Sequence, residues 1–280
     1  MEIPGSPAPF ILNRKLMRLI IPFFILAMAG LSLPLKADND FCSVTNTAFQ
    51  PGERLTYRVY YTVAGAYFGA GGAVFTNTLE HMIGKDVYHV VAEGKTFSFY
   101  DKVYKVRDRY ETYIDTTTLQ PYKFIRNVNE GGYKTYENVT FVKAASTAVS
   151  SEGVYKVPLC VQDPMSAMSF TRNLDFSNLK PGDKVPFNMF LDRQVYSMYV
   201  RYMGREIIRT KYAKFRAIKI KPLLINSNVF TGGEKMTVWI SDDPNHIALR
   251  VESPITVGKI KIDMVDCKNL RYPLSSLVAF

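Results

Sequence analysis

Asp242 and Asp243 stand side by side in "VWISDDPNHIALRVESPITVGKIKI", with His246 close behind. Paired carboxylates beside an imidazole can divide acid and base work or help to hold a metal. Glycosidase carboxylates, however, face each other across the scissile bond, roughly 5–9.5 Å apart, and come from separate strands. Neighbours on one strand point to opposite faces, so this pair would not flank a sugar. "SDDPN" also carries turn chemistry: Asx hydrogen bonds, a fixed φ at Pro244, and an Asn245 that tolerates the left-handed region. The stretch therefore reads as a hairpin. Met236, Val238 and Ile240 share one face of its first strand; Ile247, Leu249 and Val251 share one face of the second. Apolar parity then flips, and a bulge is expected at Gly258 or Lys259.

Other chemistry-bearing residues are scattered. His81, His89 and His246 lie far apart, and Cys42, Cys160 and Cys267 lack the close pairs of a zinc or redox motif. In an oxidising compartment two cysteines can pair while one stays free, and spacing does not choose among the three pairings. "TVAGAYFGAGGAVF" holds Gly65, Gly69, Gly71 and Gly72 without the Lys-Ser/Thr of a phosphate loop. It reads as a strand with a bulge, a bend or a close approach. No nucleophile elbow, Ser-x-x-Lys or His-Glu-x-x-His motif is present. No catalytic residue, metal or cofactor is assigned, and an enzyme is not expected.

The net charge is +10, and the densest basic stretch is "RYMGREIIRTKYAKFRAIKIK". On a regular strand the odd-numbered Arg201, Arg205, Arg209 and Lys211 would share one face, a candidate surface for an anionic partner. The plainer reading is the wet face of an antiparallel sheet. Nucleic acid is not expected, because no recognition motif appears.

These residues need elements to hold them. Arg14, Lys15 and Arg18 precede an apolar run from Leu19 to Leu33, and "LKA" ending at Ala37 fits a signal-peptidase site. Residues 1–37 are read as a signal peptide, with Met17 an alternative start, and residues 38–280 as one β domain. The run would rise only about 22 Å as a helix, short of a bilayer core. No later stretch is long and apolar enough to span a membrane.

From Phe49 onward, short segments rich in β-branched and aromatic residues alternate with turn chemistry such as "IGKD", "TTTLQP" and "NEGG". One segment breaks the rhythm. Asp163 is a good N-cap, Pro164 suits the first helical position, and a short helix is expected near 164–173, its methionines plugging an open barrel end. The pattern predicts an all-β chain: a single curled antiparallel sheet, roll-, spiral- or barrel-like, with one short helix. Two packed sandwich-like halves are the alternative.

"NTAFQPGERLTYRVYY", "QDPMSAMSFTRNLDF…PGDKVPF" and the Trp239 stretch occur in an order that resembles an exported bacterial family, domain-of-unknown-function family 3108. The likeness runs from Cys42 to Leu277 and implies a mostly antiparallel β-roll or barrel-like spiral. Such folds occur in periplasmic carriers and envelope proteins that shelter apolar ligands. Ala64, Gly65 and Ala66 stand where the family would place a bulky residue, and Ala248 near an expected proline. The resemblance further implies a Cys42–Cys160 disulfide. Together these readings lead to an exported protein of the bacterial periplasm or cell envelope, binding an apolar or amphipathic ligand or partner. An envelope glycan or lipid hydrolase, and an assembly protein docking through its basic face, are the alternatives.

Overall fold

The computed structural model describes residues 42, 44–63, 66–82, 84–102, 104–225, 232–255 and 258–279. The signal peptide expected over 1–37 lies outside the described residues. Strands β1 (Arg54–Val63), β2 (Ala66–Met82), β3 (Lys85–Thr96), β4 (Arg107–Asp115), β5 (Pro121–Glu130), β6 (Tyr133–Val142), β7 (Thr147–Ser150) and β8 (Gly153–Lys156) form an antiparallel meander. Helix α1 (Pro164–Thr171) follows. Strands β9 (Lys184–Leu191), β10 (Gln194–Arg209), β11 (Lys214–Pro222), β12 (Thr237–Ser241), β13 (Ala248–Pro254) and β14 (Lys259–Lys268) form a second meander, and β15 (Leu277–Ala279) pairs with β11. The pairing β1–β14 joins the two into one sheet, in the order β8-β7-β6-β5-β4-β3-β2-β1-β14-β13-β12-β11-β10-β9. The sheet is continuous, not two packed halves.

It does not close, but its two edges share a core. Ala92, Phe124, Val139, Phe141 and Ala148 from β3 to β7 pack with Phe190 of β9 at the far edge, together with Val157, Val161 and Met165. Gln162 completes the seam: its N–H donates to Asn188 O and its carbonyl accepts from Phe190 N, both at 2.8 Å. Ion pairs Arg126–Asp192 and Arg193–Glu152 tie the β9–β10 turn to β5 and to the β7–β8 turn.

Helix α1 is held where the sequence expects it. Asp163 caps it by accepting from Met165 N (2.7 Å) and Ser166 N (2.9 Å), and Ser166 Oγ in turn accepts from Asp163 N. A bond from Thr112 Oγ1 to Asp163 Oδ2 (2.6 Å) pins the cap to β4. Met165 enters the seam core, whereas Phe170 packs with Phe176, Val200, Tyr202, Ile218, Ile220 and Ile240 in a second core. One short helix thus joins two cores, each fully buried large apolar side chain contributing about 1.5–3 kcal/mol.

Register breaks set the curvature. In the glycine-rich β2, Val59 faces Gly71 and Tyr60 faces Gly69, leaving Ala70 as an extra residue. A Cβ on Gly71 would collide with the Lys95 carbonyl, so this strand has both the bulge and the close approach expected of it. Gly258, by contrast, sits with positive φ in the β13–β14 turn, where its carbonyl accepts from Ile255 N. The bulge of β14 lies instead opposite Thr56 and Tyr57, with Val265 the extra residue. The β13–β14 ladder keeps one register from Arg250–Asp263 to Pro254–Lys259, so the parity flip falls between the strands, where apolar spacing alone misplaced it.

Candidate functional site

The acid pair sits in the turn between β12 and β13, and the two carboxylates point apart. Asp243 is buried. Its Oδ1 accepts from Ser241 Oγ (2.9 Å), Asn245 N (3.0 Å) and Asn245 Nδ2 (3.2 Å), and its Oδ2 from Ser276 N (3.2 Å). Asp242 faces outward and accepts from Arg205 Nε at 3.1 Å. His246 donates from Nδ1 to the Arg172 carbonyl (2.7 Å), and burial holds its pKa below the ordinary imidazole value, which favours the neutral ring. It meets Phe176 edge to face, with centroids 5.2 Å apart.

The turn is not an exposed hairpin tip. Arg172, at the end of α1, donates from Nε and Nη2 to the Asn245 carbonyl (3.1 and 3.0 Å), and grips Glu53 through both carboxylate oxygens (2.5 and 2.8 Å). Tyr272 N donates to Asn245 Oδ1 at 2.9 Å. Four distant segments therefore converge here: the start of β1, the end of α1, the β12–β13 turn and the stretch before β15. These groups are all engaged in holding the fold.

The one-face expectation for the basic stretch is corrected. Tyr202 pairs with Ile220 but Gly204 with Lys219, so Met203 is an extra residue and parity reverses there. Arg201 shares its face with Lys219 and Lys221, while Arg205 and Arg209 lie on the other. Arg201 is bound by both oxygens of Glu234 (2.7 and 2.8 Å), and Lys211 lies 6.0 Å over the Tyr60 ring. Cys42 is disulfide-bonded to Cys160 and Cys267 is free, the pairing that the resemblance implied.

Two pockets on the described residues do not match an acyl chain. One, beside Phe141, Val157, Cys160 and Val161, has room for about a single water, ≈ 30 Å³. The other, ≈ 300 Å³, is an open groove over β5 and β6 lined largely by polar residues including Asn127, Asn129, Lys134 and Thr135. Ligand sites of drug size are enclosed clefts of roughly 300–1,000 Å³ with mainly apolar walls. The described residues hold no group of three or more His, Cys, Asp or Glu side chains placed to bind a metal ion. Among them, no helix is long and apolar enough to cross a membrane.

Sequence reading missed a set of exposed rings. Tyr67, Phe68, Phe99, Tyr104 and Tyr133 occupy the ends of β1 to β6 on one rim, and Tyr136 lies just below. Phe99 is 80 % exposed and Tyr67 62 %. Adjacent strand residues point to opposite faces, yet Tyr67 and Phe68 are both exposed, so the tip of β2 is uncovered on both sides. Tyr104 lies against the Gly131 backbone in the β5–β6 turn, linking two turns of the rim. Phe99 and Tyr104 lie in the β3–β4 connection and Tyr67, Phe68 and Tyr133 at the starts of β2 and β6, so only the folded topology brings them to one end.

Residues 56–265 match the family described as Protein of unknown function (DUF3108). The chain belongs to that family. No curated protein matches the chain. Among solved structures it is similar to a β-barrel-like protein of domain of unknown function DUF1849 from Brucella abortus, with TM-score 0.54 and 10% identity over 79% of this chain and 99% of that one. At that identity the likeness concerns the fold alone. A candidate exported protein with a YmcC-like fold from Bacteroides fragilis also matches, with TM-score 0.32 and 11% identity over 80% of this chain and 99% of that one.

Proposed function

We propose that this DUF3108 protein is an exported bacterial envelope protein that works by binding an apolar or amphipathic envelope component, not by catalysis. The observation carrying the reading is the rim of exposed aromatic rings. Side chains of that size buried in a core would each stabilise the fold, so leaving several together in water marks a contact surface. The expected contact is with the outside of the sheet, where the rings are exposed. Export is supported by the disulfide, which persists in oxidising compartments, and by the leader-like residues 1–37; the periplasm is the compartment proposed.

The hydrolase alternative has little support, because Asp242, Asp243 and His246 are committed to hydrogen bonds that hold the turn. Docking through a continuous basic face loses its basis at the Met203 bulge. Hydroxyl-radical footprinting in the presence and absence of isolated envelope material tests the reading. Tyr67, Phe99, Tyr104 and Tyr133 should be protected, while Leu159, exposed elsewhere, should not. Equal labelling with and without the envelope would sink it. So would turnover of envelope glycan or phospholipid that Asp243→Asn abolishes.

A further inference from the structure

The rim carries charge as well as rings. Lys95, Lys102, Lys105, Lys134 and Lys259 are exposed there. The acids among them are occupied. Asp101 is held by Arg107 through both oxygens (3.0 and 2.6 Å) and by Thr96 Oγ1 (2.6 Å). Asp108 accepts from Asn129 N at 3.0 Å. Glu130 is half-buried beside Asp108. Lysines dominate what remains on the surface. Cations also lie over the rings: Arg58 is 4.8 Å from the centre of Phe97, and Lys261 is 5.1 Å from that of Tyr67.

Aromatic rings prefer the boundary between headgroups and acyl chains, and lysines beside them are attracted to anionic headgroups. The two features, spread over the ends of several strands on one rim, match a flat anionic partner better than a single ligand molecule. The geometry supports insertion from the edge. Pairing of β2 with β3 begins at Gly71, and Phe97 N, just past β3, still donates to the Ala70 carbonyl (2.9 Å), so Ala66 to Gly69 extend beyond β3 at the rim. Resting on the binding reading above, we propose that this rim seats the protein on an anionic lipid bilayer, with Tyr67, Phe68, Phe99, Tyr104 and Tyr133 entering the headgroup layer and the five lysines pairing with lipid phosphates.

The test uses flotation of the mature protein with vesicles of phosphatidylethanolamine and phosphatidylglycerol, against vesicles of phosphatidylcholine alone. Binding is expected to the first, to weaken in high salt, and to fall by about tenfold or more in Lys95→Glu/Lys105→Glu and in Tyr67→Ser/Phe99→Ser. These positions are exposed, and far-UV circular dichroism checks that the variants remain folded. A Phe99→Trp reporter should shift its emission to the blue on vesicles, while a Leu159→Trp reporter, at an exposed position after β8, should not. No flotation with anionic vesicles, or flotation indifferent to salt and to both rim variants, overturns the proposal. Footprint protection of the rim by a soluble envelope protein, without vesicle binding, would refute the bilayer while leaving the binding reading intact. Absence of both would remove the two together.

Discussion

Burial and the neighbouring Asp108 push the Glu130 carboxyl up to about 7. A carboxyl whose pKa is higher folded than unfolded adds its stability at low pH and loses it as pH rises through the folded value. The denaturation midpoint should therefore decline between about pH 5 and pH 8, and Glu130→Gln should flatten that part of the profile. An unchanged slope in the variant would assign the decline to another group. Glu53 and Arg172 present the opposite case, a buried pair brought together from 119 residues apart. Arg172→Met leaves the Glu53 charge without a counter-ion and should cost about 3–5 kcal/mol in urea unfolding, with Glu53→Gln/Arg172→Met recovering part of the loss. Neither pair follows a spacing rule, so neither was legible beforehand. Asp242, Asp243 and His246 were legible as a turn because the local types "SDDPN" dictate one; its burial beneath Arg172 and Tyr272 was not.

Local chemistry is most reliable at the scale of one element. Helix α1 follows from Asp163, Pro164 and Ser166, all within its first turn, and the cap forms as those residue types require. Asp163→Ala should lower stability by about 2 kcal/mol, near the upper end for a lost N-cap, because the buried Thr112 Oγ1 also loses its 2.6 Å bond and keeps only a 3.3 Å one to the Lys123 carbonyl. A fluorescence-monitored denaturation curve measures it, and a loss of only a few tenths would mean the cap matters little. Bulges are less predictable. The one at Ala70 was foreshadowed by glycines that permit close approach, and the one at Met203 adjoins Gly204, whose φ is positive; the one at Val265 has no such marker, since it depends on where the partner strand's pairing slips. Gly71→Ala should cost about 1–3 kcal/mol by forcing its methyl against the Lys95 carbonyl, whereas Gly69→Ala, with open space at its Cβ, should cost less. Equal losses would show that the close approach is not what Gly71 is for.

Over the whole molecule, the sheet is held in its curl by a seam with few backbone hydrogen bonds. The Gln162 bridge, two ion pairs and the core around Phe190 join edges that lie far apart in strand order. The Cys42–Cys160 bond, which spans 118 residues, fastens the chain just before this seam. Chain-entropy reasoning puts its contribution at up to about 4–5 kcal/mol for a loop of that length. Cys160→Ser, or reduction, should therefore lower the melting temperature markedly in calorimetry; a shift within error would mean that the seam holds without it. From the sequence alone came the strand-rich class, the single capped helix, the turn at Asp242 and Asp243, and the export expectation, because period, cap chemistry and turn chemistry act over a few neighbouring residues. Only the tertiary structure decided that the basic stripe divides at Met203 and that the rings of Tyr67, Phe99, Tyr104 and Tyr133 gather on one rim. Those outcomes depend on register and curvature, which strands far apart in the chain set jointly.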